Sequence, residues 1–357
     1  MINVTKTYIP SLDKYNVYLK KIFSDGIVTN NGQFLKKLKK ELEDYLGVKN
    51  ILLVQNGTLA LQIAYKLLKL KGEIITTPFT FVATVSSQVW EGLIPKFVDI
   101  NNETLNINEK LIEKSVTPNV SGIVPVHVFG NGCEVEYIDK IAQKFGIKVI
   151  YDAAHAFGVK YKNKSILNYG DISIMSFHAT KIFHTIEGGA LIIKDDELYK
   201  KACLMINFGI DGLNSISELG INAKMNELEA AMGLCILDDI DKIIKDRKNV
   251  YEYYMNNLNG NIIFQKHNKN ASLNYSYFPI ILNSEKNVIK VIEMLSRENI
   301  KPRRYFYPSL STLPYMQCDT SVPISNDISK RILCLPFYDS IGIKELKTII
   351  EIVNKNA

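Results

Sequence analysis

Apolar residues recur along this chain in two rhythms that alternate. Helical spacing governs FLKKLKKELEDYL at residues 34–46, with Gly47 as its stop. NILLV at 50–54 is a short apolar run and predicts a buried strand. The turn Gln55-Asn56-Gly57 follows it, and a helix is predicted over 58–70. The same exchange then repeats. EIITT (73–77) precedes a helix over 81–90, and IPKFVDI comes next. GIVPVHV leads into a helix over 134–145 and then KVIYDAA, after which DISIMSFH and GGALIIKD lie close together. Strands that are apolar throughout and alternate with helices predict a mostly parallel sheet covered on both faces.

A helical tract over 226–258 breaks the rhythm. Beyond it lie YSYFPIIL, a helix over 285–298 and the aromatic, basic stretch RRYFYPSL. The chain therefore divides into a large lobe over 1–240 and a smaller C-terminal α/β lobe over 241–357, with the boundary inside the long helix. A length of 357 residues and a hydrophobic fraction of 46% supply enough core for both. The net charge of +6 is spread as scattered lysines, with no basic block to mark a nucleic-acid arm or membrane anchor. Five cysteines, Cys133, Cys203, Cys235, Cys318 and Cys334, are scattered and never spaced as CxxC, which predicts neither disulfide framework nor metal site. No signal peptide or membrane-length apolar run is present, and a soluble cytoplasmic protein is expected.

Ligands of an open α/β sheet gather at the carboxyl ends of its strands, and five segments there carry unusual residues. Asn56-Gly57-Thr58-Leu59 opens a helix, whose unpaired N–H groups and dipole suit a phosphate, although the same turn reads equally as an ordinary cap. Phe81 follows a strand and Pro78, and is either core or a stacking face for a flat heterocycle. Asp152 ends an apolar strand, where a buried carboxylate needs a cation such as a protonated pyridine nitrogen. Its neighbours Ala153 and Ala154 leave room for a ring, and His155 is placed to contact it. Ser176 could bond a phosphate, and Lys181, following a buried strand and preceding Glu187-Gly188-Gly189, is placed to lose its proton in a dry pocket. The fifth segment, residues 220–227, reads locally as a loop and helix start.

Taken in order, NGTLAL, TPFTFVAT, YDAAHAFG, SFHATKIFHTIEGGA and LGINAKMNELEAAMG resemble the DegT-type nucleotide-sugar aminotransferases, over most of the chain. The resemblance implies the aspartate-aminotransferase-like fold of type I pyridoxal-phosphate enzymes. It also implies a homodimer with shared sites and pyridoxal 5'-phosphate as cofactor, cycling through its pyridoxamine form. Lys181 would hold the cofactor aldehyde, Asp152 its ring nitrogen, and Phe81 and His155 its two faces. Gly57, Thr58, Leu59 and Ser176 would hold its phosphate, with Asn222 reaching the phosphate in the partner chain. Relatives with histidine in place of the lysine act as sugar dehydratases, and the lysine here favours amino transfer. His155 and Lys224 stand where the family often has glutamine and arginine, so a bidentate anion contact at 224 is lost.

VTKTYIPSLDKY, VTNNGQF and SFHATKIFHTIEGG point, within the family, to members that aminate a dTDP-linked 4-keto-6-deoxyhexose, giving dTDP-4-amino-4,6-dideoxyglucose. L-Glutamate is the expected donor. Lys224, Arg303 and Tyr307 are candidate substrate contacts, whereas Arg304 and Tyr305 read rather as a half-buried strand with a basic face. Three alternatives stay open: the same fold acting on a 3-keto sugar, a non-catalytic sensor, and a nucleotide-dependent oxidoreductase. Intact Lys181 and Asp152 weigh against the sensor, and the missing GxGxxG after the first strand weighs against the oxidoreductase.

Overall fold

A computed structural model describes residues 1–316 and 321–357. Seven strands form the central sheet: β1 (Ile51–Val54), β2 (Glu73–Thr76), β3 (Ile94–Phe97), β4 (Val120–Ile123), β5 (Lys148–Asp152), β6 (Ile172–Ser176) and β7 (Gly189–Ile193). Their order across the sheet is β1-β7-β6-β5-β4-β2-β3. Only β7 runs antiparallel to its neighbours, so the expected mostly parallel sheet is found. All four residues of β1 are buried, because helices cover both faces and no position can be given to water.

Nine helices are relevant to the site and its frame. They are α1 (Leu12–Asp25), α2 (Gln33–Leu46), α3 (Gly57–Leu67), α4 (Val82–Trp90), α5 (Val135–Phe145), α6 (Glu227–Asn257), α7 (Glu285–Arg297), α8 (Pro323–Arg331) and α9 (Ile343–Asn356). Helix α2 buries Phe34, Leu38, Leu42 and Leu46, one residue per turn, and ends at Gly47 in the left-handed region. At its other end the buried Glu227 carboxylate accepts the N–H groups of Phe34 (2.8 Å) and Leu35 (2.9 Å). Gly32 is glycine because a Cβ there would come to 2.5 Å from Glu227 Cδ.

The second lobe packs α7, α9 and the end of α6 against an antiparallel sheet of β8 (Ile263–Phe264), β9 (Pro279–Ile281) and β10 (Ile332–Cys334). Along α6, Ile243 belongs to the first core and Val250 to the second, so packing changes hands within that helix. One departure from the expected division lies at the N-terminus. Ile2 and Asn3 pair in parallel with Ile300 and Lys301, which attaches the start of the chain to the second lobe.

GIVPVHV is not one strand. β4 stops at Ile123, since Pro125 has no N–H to donate, and Val126 makes only an isolated bridge to Asp152. RRYFYPSL is a turn rather than a strand, tied to β10 by the Arg303–Cys334 bridge. Cys133, Cys203, Cys235 and Cys334 carry free thiols, and Cys318 lies outside the described residues. No described helix is long and apolar enough to cross a membrane.

Candidate active site

At the carboxyl ends of β5 and β6 a cavity of about 260 Å³ opens between the lobes. Gly57, Thr58, Phe81, Asp152, Ser176 and Lys181 all line it. His155 and Arg303 complete the set of expected residues found there.

Asp152 is the last residue of β5, and its backbone is fixed from both sides. Its N–H donates to Pro125 O (2.9 Å), its carbonyl accepts from His127 N (3.1 Å), and Ala153 N donates to Ile174 O (2.9 Å). The carboxylate is 6% exposed and is met by two donors, the Thr84 hydroxyl at 2.7 Å and the Ala154 N–H at 3.1 Å. Burial pushes this carboxyl up; the two donors and the nearby Lys181 ammonium oppose it.

Lys181 stands in the loop between β6 and β7. Phe177 and Gly188 close that loop with a 2.8 Å bond, and Lys181 N donates to His178 O (2.8 Å). Gly189 is required here, because a Cβ would lie 2.5 Å from the Asn56 carbonyl carbon. The glycine thereby lets the lysine loop pack against the turn that starts α3. Lys181 is half-buried by surface area yet densely enclosed by protein, and desolvation brings its amine down to about 8, with Asp152 opposing. At pH 7 about one amine in ten is then neutral, against about one in three thousand for an ordinary lysine.

A kinetic expectation follows from that value. Capture of an aldehyde by Lys181 requires the neutral amine, so its rate is expected to rise about tenfold between pH 7 and pH 9, with its midpoint near 8. Stopped-flow absorbance with pyridoxal phosphate and apo-protein checks this. A rate that climbs log-linearly beyond pH 10 would show that the lysine is not perturbed.

Asn56 caps α3 by accepting the Leu59 N–H at 2.8 Å. The Leu59 N–H is thereby taken by the cap, and Leu59 is not among the residues that line the cavity. Gly57 and Thr58 retain the free N–H groups of the first helical turn. A Cβ on Gly57 would approach Ser176 Cβ to 3.1 Å, so the cradle between them is narrow.

The His155 Nδ1 accepts the Phe129 N–H at 3.3 Å, which leaves the proton on Nε2. Burial holds its pKa far below the usual histidine range, so the ring is neutral. Asn274 and Ser276 of the second lobe donate to the His155 carbonyl at 2.7 and 2.8 Å. His155, Phe129 and Phe306 lie with their rings nearly parallel, forming a flat wall.

Several site residues were not anticipated. Tyr277 has its ring centroid 5.9 Å from Lys181 Nζ, Thr84 holds Asp152, and Phe306 lines the cavity. Tyr305 lines it too, contrary to the strand reading. Tyr307 does not: its ring is covered by the Arg304 guanidinium at 3.5 Å, and Arg304 is paired with Glu285 at 2.6 Å. Asn222 and Lys224 also lie outside this cavity. They bond each other (2.8 Å) beside the free edge of β1, where Lys224 lines a separate cleft of about 470 Å³ with Asn30 and Lys36.

The DegT/DnrJ/EryC1/StrS aminotransferase family model matches residues 13–354. A dTDP-4-amino-4,6-dideoxy-D-glucose transaminase of Shigella dysenteriae is 40% identical over 99% of this chain and 98% of its own. A GDP-perosamine synthase of Vibrio cholerae is 30% identical over 96% of each chain. Among solved structures, DesI in the presence of its TDP-sugar product superposes with a TM-score of 0.94 at 28% identity, over 99% of this chain and 92% of that one.

Proposed function

The chain belongs to the DegT/DnrJ/EryC1/StrS aminotransferase family, whose members depend on pyridoxal phosphate, and from that premise we propose a specific reaction for it. It moves the amino group of L-glutamate onto C4 of a dTDP-linked 4-keto-6-deoxyglucose, giving dTDP-4-amino-4,6-dideoxyglucose and 2-oxoglutarate. The observation that carries this reading is the single cavity shared by a lysine with a lowered pKa and a buried, doubly bonded carboxylate. The 40% identity to the Shigella enzyme, over nearly the full length of both chains, supports this choice of sugar.

The residues present fit pyridoxal phosphate. A narrow cradle at a helix N-terminus suits its phosphate, a buried carboxylate its ring nitrogen, and a partly neutral amine its aldehyde. When bound, the cofactor supplies an electron sink and a carrier for the amino group. Gly57, Thr58 and Ser176 would bind the phosphate, and Phe81 would cover one ring face. Asp152 would hold the proton on the ring nitrogen, and His155, with its proton on Nε2, would contact the ring or its phenolic oxygen. Lys181, held in the same cavity as Asp152, would take the proton from the donor's α-carbon and, in the second half-reaction, deliver one to C4 of the sugar. Arg303, which lines the cavity, would meet the diphosphate of the nucleotide. Asn222 and Lys224, facing away from this cavity, act in the site of a second copy in a homodimer.

The test is incubation with glutamate and a panel of keto sugars carried by dTDP, GDP and UDP, following 2-oxoglutarate and assigning the aminated carbon by NMR. The dTDP-4-keto sugar is expected to lead the panel by at least about tenfold in kcat/KM. Amination at C3, or preference for another nucleotide, rejects the assignment.

A further inference from the structure

Beside the carboxylate that faces the cavity runs a polar path with a fixed direction, and both of its threonines, Thr80 and Thr84, line the same cavity. Thr84, in the first turn of α4, is fully buried and donates its hydroxyl proton to Asp152 Oδ2 at 2.7 Å. Its oxygen lies 2.9 Å from the hydroxyl of Thr80, which is 2% exposed. A threonine hydroxyl carries one proton, and an ionised carboxylate only accepts. The Thr84 proton is therefore committed to Asp152, and the bond between the two threonines is made by the proton of Thr80. Both O–H dipoles then point their positive ends toward the carboxylate. Phe81 sits between the two threonines in sequence, so the turn that presents its ring to the cavity also carries the path.

We propose that Thr84, backed by Thr80, is a positioning residue for the reaction: the relay Thr80→Thr84→Asp152 keeps the carboxylate ionised and aimed at the cofactor's ring nitrogen. The inference rests on the reading of the cavity as a pyridoxal-phosphate site. Burial alone drives Asp152 toward its neutral form, and a neutral acid no longer holds a proton on a pyridine nitrogen electrostatically. The second donor, the Ala154 N–H, is longer at 3.1 Å and falls on the other oxygen, so it does not replace the relay.

The experiment uses holo-protein loaded with pyridoxal phosphate labelled with ¹⁵N at the ring, and follows the nitrogen's NMR shift against pH together with kcat and KM. In Thr84→Val, which keeps the shape and removes the donor, the nitrogen is expected to lose its proton at a pH lower by about one, a tenfold change in that equilibrium. kcat is expected to fall by about tenfold or more while KM stays within about twofold. Thr84→Ser restores both readouts. Thr80→Val, which leaves both Asp152 donors in place, moves the titration in the same direction by a smaller amount and keeps the test open if Thr84→Val does not fold.

An unchanged nitrogen titration in Thr84→Val, a Thr84→Ser protein as impaired as Thr84→Val, or a Thr80→Val protein with no shift overturns the relay while leaving the cofactor site standing. Wild-type protein that takes up no pyridoxal phosphate overturns the site itself, and the relay with it.

Discussion

Replacing Lys181 by alanine is expected to abolish transamination, lowering kcat by about 10⁴-fold or more, while the protein still binds the cofactor through its phosphate. The size follows from the double duty assigned to one amine. Lys181 both holds the aldehyde and moves the proton, and two other nitrogen groups that line the cavity, Arg303 and His155, are badly placed to replace it. A guanidinium donates hydrogen bonds but has no acceptor, and that of Arg303 stacks over Tyr305 at 4.5 Å. His155 is buried with Nδ1 already bonded to Phe129. The measurement is single-turnover formation of 2-oxoglutarate from glutamate, alongside the visible spectrum of the bound cofactor. Retained turnover within about a hundredfold of wild type would mean that another amine does the work.

Asp152→Asn is expected to cost about 10³-fold in kcat, with little loss of cofactor phosphate binding. Asparagine has the same shape and its oxygen can still accept from Thr84 or Ala154, so the fold is preserved. The negative charge is gone, and with it the reason for a ring nitrogen to remain protonated above its ordinary range. The sign of the pH dependence follows from the same geometry. Burial raises the Asp152 carboxyl, so the ionised form, and the activity that depends on it, is present above that raised value and lost as pH falls through it. A kcat profile of wild type should therefore show an acidic limb that is absent from Asp152→Asn. An asparagine variant within about tenfold of wild type would remove the role assigned to the carboxylate.

The site was legible in the sequence wherever its chemistry sits at the end of an apolar run. Asp152 and Lys181 stand out because charge directly after KVIY or near SIMSF is costly unless used, and β5 and β6 do end at those points. Thr84 was hidden by distance. Its partner lies 68 positions away, and nothing in FVAT distinguishes a hydroxyl aimed at a carboxylate from one that merely faces a helix groove. Tyr277 was hidden by the lobes, since it reaches Lys181 only after the second domain folds back over the first. That the Asn56 cap takes the Leu59 N–H could not be read from the turn's residue types alone. Tyr307 stays out of the cavity that Arg303, Tyr305 and Phe306 line, with the Arg304 guanidinium over its ring, a pairing that RRYFYPSL does not reveal. Helix α1 left no stripe to read: only Ile22 of its fourteen residues is buried, while Leu12, Val17 and Phe23 remain exposed on this chain.

The most direct test of the account is chemical trapping. Protein incubated with pyridoxal phosphate, reduced with borohydride and digested should yield one modified peptide, labelled at Lys181 in the segment SFHATKIF. A label on any other lysine, or no label on protein that is otherwise folded, would contradict the claim that this amine and Asp152 grip the same ring from opposite ends.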